Sequence, residues 1–356
     1  MGAGAFGTAV AVLLGRAGLR TTLLTRTRAQ AELLNAEPEN RIYLPGVPIP
    51  RELRIEPFPG GGTGTRDRSP LARADYVFLG VPSGGLDEVI AALPEAGLSE
   101  RASVVSLAKG LVPPDGLPPT VLLTRLLGAE HVACVGGPSH AHEMVSEGAG
   151  LVAASESEVL AEGLAQVFLR AGVVCEQSAD PVGVELSGAA KNAAALASGA
   201  TERQGLNAAG AAAGHIFLEV WRYGAALGAQ PESMIGLAGA GDLVATALAP
   251  QSRNRQAGEL LAEGVPAEEI PERVGQTVES LESVPLLARA LERAGVTAPV
   301  TTALSRLISG ELPLDQWVEL VRTTVPPPGR WRHPRGFWSR VLRRRRARLT
   351  SARRAS

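Results

Sequence analysis

The sequence predicts an α/β half followed by an all-α half, and three observations carry that reading. Gly2, Gly4 and Gly7 stand in GxGxxG spacing at the head of a small-residue helical run, and a strand-like run follows it. Three further apolar runs in the first half each end in Gly, Pro or Ser. From about Asp180 onward the chain changes to long Ala-, Leu- and Gly-rich stretches with helical spacing and few strand signals.

Taken in order, "GAGAFGTAVAVLLGRAG" (2–18) opens with the glycine turn and continues as a helix with small residues on its packing face. Two glycines of such a turn permit a tight bend and close approach to a pyrophosphate, and the third lets the helix pack on a sheet. The helix N-terminus then faces the phosphates. "RTTLLT" (20–25), "DYVFLGVPS" (75–83), "SVVSLAKG" (103–110) and "HVACVGGPS" (131–139) read as strands. A parallel sheet with ligand-facing loops at the strands' carboxyl ends explains the Gly, Pro or Ser endings of the last three. "SGAAKNAAALASG" (187–199), "NAAGAAAGHIFLEVWRYGAALG" (207–228) and "VESLESVPLLARALERAG" (278–295) read as helices whose small residues allow close packing.

The expected fold class is therefore an α/β Rossmann-type N-terminal domain over residues 1–179 and an all-α domain over 180–325. One element of that fold is missing. The strand that should precede the glycine loop has no counterpart between Met1 and Gly2, and its loss is expected to leave neighbouring strands without ladder partners and the loop without an anchor. The acidic residue that would bind the ribose 2′-hydroxyl of NAD is also missing. Thr25, Arg26 and Arg28 occupy that region. Arginine accepts a 2′-phosphate, so NADP is expected at least as readily as NAD.

Composition sets the outer bounds. At 356 residues, 45% hydrophobic and 20% charged, the chain has enough apolar material for a large core and a length suited to two domains. Cys134 and Cys175 lie in apolar runs without metal-ligand spacing, so they read as core residues of a reducing, cytoplasmic compartment, and no metal is expected. Residues 2–15 have signal-like hydrophobicity but no charged segment ahead of them, and no apolar run is long enough to cross a membrane. The net charge of −1 conceals an acidic body and a basic end: residues 330–356 hold 11 Arg and no acid. "PPPG" (326–329) separates the two, since consecutive prolines block helix continuation. The Pro/Arg-rich tail over 326–356 reads as a solvated end with at most a weak contact to an anionic surface, and nucleic acid is not an expected partner.

Lysine usage points to chemistry. Of 35 basic residues only Lys109 and Lys191 are lysines. Guanidinium does not release its proton in a protein, whereas an ammonium shifts its pKa on burial and can transfer one. Each lysine lies within a motif. "GAGAFGTA", "NRIYLPGVPIP" (40–50), "GVPS" (80–83), "AKGL" (108–111), "GGPSHAHE" (136–143), "GVELSGAAKN" (183–192), "GLAGAGDLVAT" (236–246) and "SRNR" (252–255) follow one another along the chain. In that ordered set the chain resembles the NAD(P)-dependent glycerol-3-phosphate dehydrogenases of the bacterial biosynthetic type, over residues 2–320.

That resemblance implies a two-domain enzyme that uses NAD or NADP to interconvert dihydroxyacetone phosphate and sn-glycerol 3-phosphate for glycerophospholipid synthesis, working as a homodimer. It places Lys191 as the acid–base group, Lys109 at the cleft from the other domain, and Asp242 as the carboxylate that holds Lys191. Lys109, Gly137, Asn192, Thr246, Ser252, Arg253 and Asn254 fall at substrate positions. Gly2, Gly4, Ala5, Phe6, Gly7, Arg26, Ser83, Lys109, Ser139, Ala141, Arg253, Thr277 and Glu279 fall at cofactor positions. The chain departs from the family pattern at His140, which replaces a Phe, at His215, which replaces an Arg, and at "PFPGGGTGTRDRSP" (57–70), a loop in place of a helix. A related hydroxyacid dehydrogenase and a non-catalytic binding protein are the alternative readings.

Overall fold

The computed structural model describes residues 1–59, 69–249 and 251–325. Most of the 57–70 loop and the whole 326–356 tail named above lie outside them. Helix α1 (Ala5–Arg16) follows the glycine turn, and buried Val10, Val12, Leu13 and Leu14 anchor it in the core. Strand β1 (Thr22–Thr25) leads into α2 (Arg28–Ala36), which starts where the Thr27 side chain accepts a bond from the Gln30 N–H, a standard N-cap. A small antiparallel pair, β2 (Glu39–Asn40) with β3 (Leu44–Pro48), precedes β4 (Arg54–Pro57).

The main sheet then follows. It comprises β5 (Tyr76–Leu79), β6 (Ser103–Ser106), β7 (Val132–Gly136), β8 (Gly150–Ala154) and β9 (Val174–Ser178), hydrogen-bonded in that order. Helices α3 (Leu86–Ala92), α4 (Pro119–Leu127), α5 (Ala141–Ser146) and α6 (Glu158–Arg170) connect them. The four runs read as strands all form strands. The sheet is not wholly parallel, however: β8 runs antiparallel to β7. The short connection from Gly136 to Gly150 carries only the six-residue α5, and a tight return of that kind favours an antiparallel neighbour.

The β1–β4 pair and the main sheet approach one another at the glycine turn. β1 pairs only with β4, and β5 is an edge of the main sheet, so among the described residues the two sheets are separate. Met1 and Gly2 bridge them. The Met1 amine donates to the Phe78 carbonyl at 2.6 Å, the Gly80 N–H donates to the Met1 carbonyl at 2.8 Å, and the Gly2 N–H donates to the Leu24 carbonyl at 2.8 Å. The glycine loop is thus anchored after all. Asn40 adds a second tether, its amide donating to the Ala3 carbonyl at 3.0 Å and to Thr8 Oγ1 at 2.9 Å.

The helical half begins at Asp180, whose carboxylate caps α7 (Pro181–Thr201) by accepting from the Gly183 N–H at 2.8 Å. Pro181 at the first helical position has no N–H to leave unsatisfied. Nearly every residue of α7 is buried, so it forms the centre of this half. Around it lie α8 (Leu206–Ala226), α9 (Pro231–Ile235), a π-helical turn (Leu237–Gly241), α10 (Asp242–Leu248) and α11 (Arg253–Ala262). The half closes with α12 (Ile270–Val274), α13 (Glu279–Arg293), α14 (Pro299–Ile308) and α15 (Leu314–Thr323). Gly199 and Gly258 bring α7 and α11 together, because a Cβ at either would run into the other helix's backbone. Residues 1–324 form one compact unit. No single described helix is long and apolar enough to cross a membrane.

Candidate active site

The lysine that follows β6 and the lysine at the middle of α7 meet at one carboxylate. Asp242 Oδ2 lies 2.8 Å from Lys109 Nζ, and its Oδ1 lies 3.5 Å from Lys191 Nζ. Three devices bring them together. Gly188 leaves room for the Lys109 segment to lie against α7, since a Cβ there would sit 3.3 Å from the Lys109 Cα. Asn192 fixes that segment by donating to the Lys109 carbonyl at 3.0 Å. The π-helical turn, a form common at functional sites, sets Asp242 at the first position of α10, fully buried.

The two ammonium groups differ in their remaining capacity. An ammonium has three N–H bonds. Lys109 uses all of its own, on Asp242, on the Gly137 carbonyl at 2.9 Å and on Ser139 Oγ at 2.9 Å. Among the described residues Lys191 has two polar neighbours, Asp242 and Thr246 Oγ1 at 3.2 Å, which leaves one N–H without an acceptor there. The carboxylate is shared by both lysines and lies nearer to Lys109, whereas the sequence reading had assigned it to Lys191 alone.

Burial pulls the Lys191 pKa down to about 8, against the upward pull of the Asp242 charge. Burial alone would raise the Asp242 carboxyl, but the charges of Lys109 and Lys191 outweigh it and hold the group below its ordinary value. His140, just before α5, has its pKa lowered by burial and then by the Lys191 charge, which disfavours a third cation beside the two lysines.

A polar network extends from this cluster into α11 and α13. Asn254 donates to Asn192 Oδ1 at 2.8 Å, Asn192 donates to Glu279 Oε2 at 3.3 Å, and the Ser280 N–H donates to Asn254 Oδ1 at 3.3 Å. Ser252 caps α11 by accepting from the Arg255 N–H. Arg253 is exposed, and its guanidinium donates to the carbonyl of exposed Thr277 at 3.0 Å.

The glycine turn adjoins the cluster through Phe6, whose ring centroid lies 5.7 Å from Lys109 Nζ. Gly2 and Gly7 are needed for packing, since a Cβ on Gly2 would strike the Gly80 carbonyl and one on Gly7 the Gly2 carbonyl. A Cβ at Gly4 would meet nothing within 4 Å, and no side chain caps the N-terminus of α1. An open, uncapped helix N-terminus is a fitting cradle for a pyrophosphate, so the residues present suit a dinucleotide. Ser83 borders Gly110, beside Lys109, and Ala141 begins α5, which packs on α1. Arg26 stands apart from the lysines, exposed at the end of β1. Asn40 had no role in the sequence reading, although it opens the quoted segment "NRIYLPGVPIP". Only its contacts reveal it as the loop's tether.

A glycine-turn α/β half joined to a helical half that supplies a buried lysine, with a carboxylate between the two, defines a nicotinamide-dependent dehydrogenase of the two-domain class. Residues 1–161 match the family model for the NAD-dependent glycerol-3-phosphate dehydrogenase N-terminus, and residues 180–319 match the model for its C-terminus. The chain belongs to the NAD-dependent glycerol-3-phosphate dehydrogenase family. Among its relatives, glycerol-3-phosphate dehydrogenase (NAD(P)+) of Halorhodospira halophila is 37% identical over 92% of this chain and 96% of its own length. The protein of the same name from Thermus thermophilus is 39% identical over 86% of this chain and 92% of its own. The crystal structure of glycerol-3-phosphate dehydrogenase from Coxiella burnetii superposes with a TM-score of 0.82 at 28% identity, covering 91% of this chain and 97% of that one.

Proposed function

We propose that this chain reduces dihydroxyacetone phosphate to sn-glycerol 3-phosphate, reversibly, with NADH or NADPH, in glycerophospholipid synthesis. The observation that carries the reading is the Lys109–Asp242–Lys191 cluster, in which Lys191, unlike Lys109, keeps an N–H with no acceptor among the described residues. The nicotinamide, when bound, supplies the hydride that adds to the carbonyl carbon. Lys191 donates its proton to the carbonyl oxygen as negative charge develops there, and takes it back in the reverse direction. Asp242 keeps that ammonium in place. Lys109, fully committed, fixes the Gly137–Ser139 turn and stabilises charge at the cleft. Thr246 and Asn192 orient the reacting end.

The substrate phosphate goes to Arg253, Asn254 and Ser252. A guanidinium grips phosphate through paired hydrogen bonds, and Arg253 reaches it by releasing the Thr277 carbonyl. The cofactor lies along Gly2, Gly4, Ala5, Phe6 and Gly7 and is bordered by Ser83, Ser139, Ala141, Thr277 and Glu279, with Arg26 receiving a 2′-phosphate. Residues 1–179 serve as the cofactor half and 180–325 as the substrate half. The enzyme works as a homodimer in the cytoplasm, and the 326–356 tail touches anionic surfaces only weakly.

Arg253→Ala tests the substrate. KM for dihydroxyacetone phosphate should rise at least ~10-fold, since each charge-assisted bond contributes about 1.5 to 3 kcal/mol. An unchanged KM, or faster turnover of a phosphate-free hydroxyacid, would instead favour a hydroxyacid dehydrogenase.

A further inference from the structure

His140 stands beside the lysine cluster, departs from the family pattern and has no part in the chemistry above. The chain on both sides of it is fixed. Lys109 Nζ donates to the Ser139 hydroxyl at 2.9 Å, and Pro138 packs on the π-helical turn ahead of Asp242, where a Cβ on Gly241 would lie 3.8 Å from the proline ring. The His140 carbonyl accepts from the Met144 N–H at 2.8 Å, in the first turn of α5. The imidazole is thereby held at the α/β wall of the site, close enough to Lys191, Glu143, Asp242 and Lys109 for the charge of each to act on it.

Its two ring nitrogens are not equivalent. Glu143 Oε2 lies 3.8 Å from Nδ1, within ion-pair range but too far for a hydrogen bond, and among the described residues no hydrogen bond reaches Nε2. The carboxylate favours the tautomer that carries its proton on Nδ1, which leaves the Nε2 lone pair as an acceptor. Burial and the Lys191 charge lower the pKa of the ring and favour the same neutral form. With its side chain 27% exposed, His140 is open to a small ligand. What fits a free acceptor beside two ammonium groups is an uncharged donor, such as an O–H.

On the reading above, the substrate's carbonyl goes to Lys191 and its phosphate to the start of α11, so its free hydroxyl has no assigned partner. Resting on that reading, we propose that His140 determines specificity for this hydroxyl: Nε2 accepts its O–H, a bond that a Phe at this position cannot make.

The test crosses two substrates with variants of the full chain. Hydroxyacetone phosphate keeps the ketone and the phosphate of dihydroxyacetone phosphate and lacks the hydroxyl. Wild type should favour dihydroxyacetone phosphate by more than ~10-fold in kcat/KM. His140→Phe should lower that ratio at least ~5-fold, the effect of one lost hydrogen bond, and should do so through the hydroxylated substrate alone. His140→Gln restores an acceptor and should hold the ratio closer to wild type. If His140→Phe does not fold, His140→Leu gives the same comparison. A wild-type ratio near one, a ratio unchanged in the apolar variant, or equal losses on both substrates overturns the proposal; equal losses would mark a residue that only shapes the turn. A wild type that does not reduce dihydroxyacetone phosphate at all is a different result, which overturns the substrate reading and this proposal with it.

Discussion

Lys109 has three acceptors and Lys191 two among the described residues, and the roles proposed for them follow that difference. Lys191→Arg keeps a charge in the pocket but removes a group that can transfer a proton, so kcat should fall at least ~10²-fold with cofactor KM within a few-fold. A variant that retains a tenth of the activity would remove Lys191 from the acid–base role. With its pKa near 8, the reducing direction needs the protonated form and should decline as pH rises through about 8. The oxidising direction needs the free amine and should rise over the same range. Paired pH profiles of kcat in the two directions check the sign. If Arg26 receives a 2′-phosphate as proposed, NADPH should be used at least comparably to NADH, and Arg26→Ala should lower kcat/KM for NADPH alone.

Among the elements, the glycine turn depends on a tether from outside the βαβ unit. Asn40 is 3% exposed and donates to both Ala3 and Thr8, so Asn40→Ala should destabilise the fold by about 1–3 kcal/mol and loosen the turn. Steady-state kinetics should show KM for the nicotinamide cofactor rising while KM for dihydroxyacetone phosphate stays within a few-fold. Helix α7 gains its precision differently. Asp180 fixes its start, Gly188 admits the Lys109 segment, and Gly199 admits α11, so three small or capping residues set the distances within which Lys191 and Asn192 act. Legibility followed the same lines. The glycine turn, the four apolar strands and the α7 boundary at Asp180 could be read from spacing and residue type. β4, β8 and β9 had not been singled out: β4 and β9 are mixed polar segments on pairings set by distant partners, and β8 is a short apolar run whose antiparallel course depends on α5.

For the whole molecule, a buried acid links the two halves and makes stability depend on pH. Glu185 on α7 is 2% exposed and accepts from the N–H and hydroxyl of Thr120 at the start of α4. Burial raises its pKa to about 7, well above the unfolded carboxylate value. The folded state therefore holds a proton that the unfolded chain has lost between pH 4.5 and 7. That contribution is present in full below the unfolded pKa and is lost as pH rises through about 7, to a total on the order of 3 kcal/mol. Tm of the wild type should fall from pH 5 to pH 8 more steeply than that of Glu185→Gln, which keeps an acceptor but does not titrate. Parallel slopes in thermal melts would place the pH dependence elsewhere.

By itself the sequence determined the order of the halves, the glycine turn, the rarity of lysine and the motif around each lysine, because these are local patterns of residue type and spacing. Only the tertiary structure decided that one carboxylate serves both lysines, that Lys109 has three acceptors and Lys191 two among the described residues, and that Asn40 holds the turn. Each of these rests on contacts between residues far apart in the chain, and hydrogen-bond capacity at a nitrogen or a sheet edge is settled only when the partners that compete for it have been brought into place.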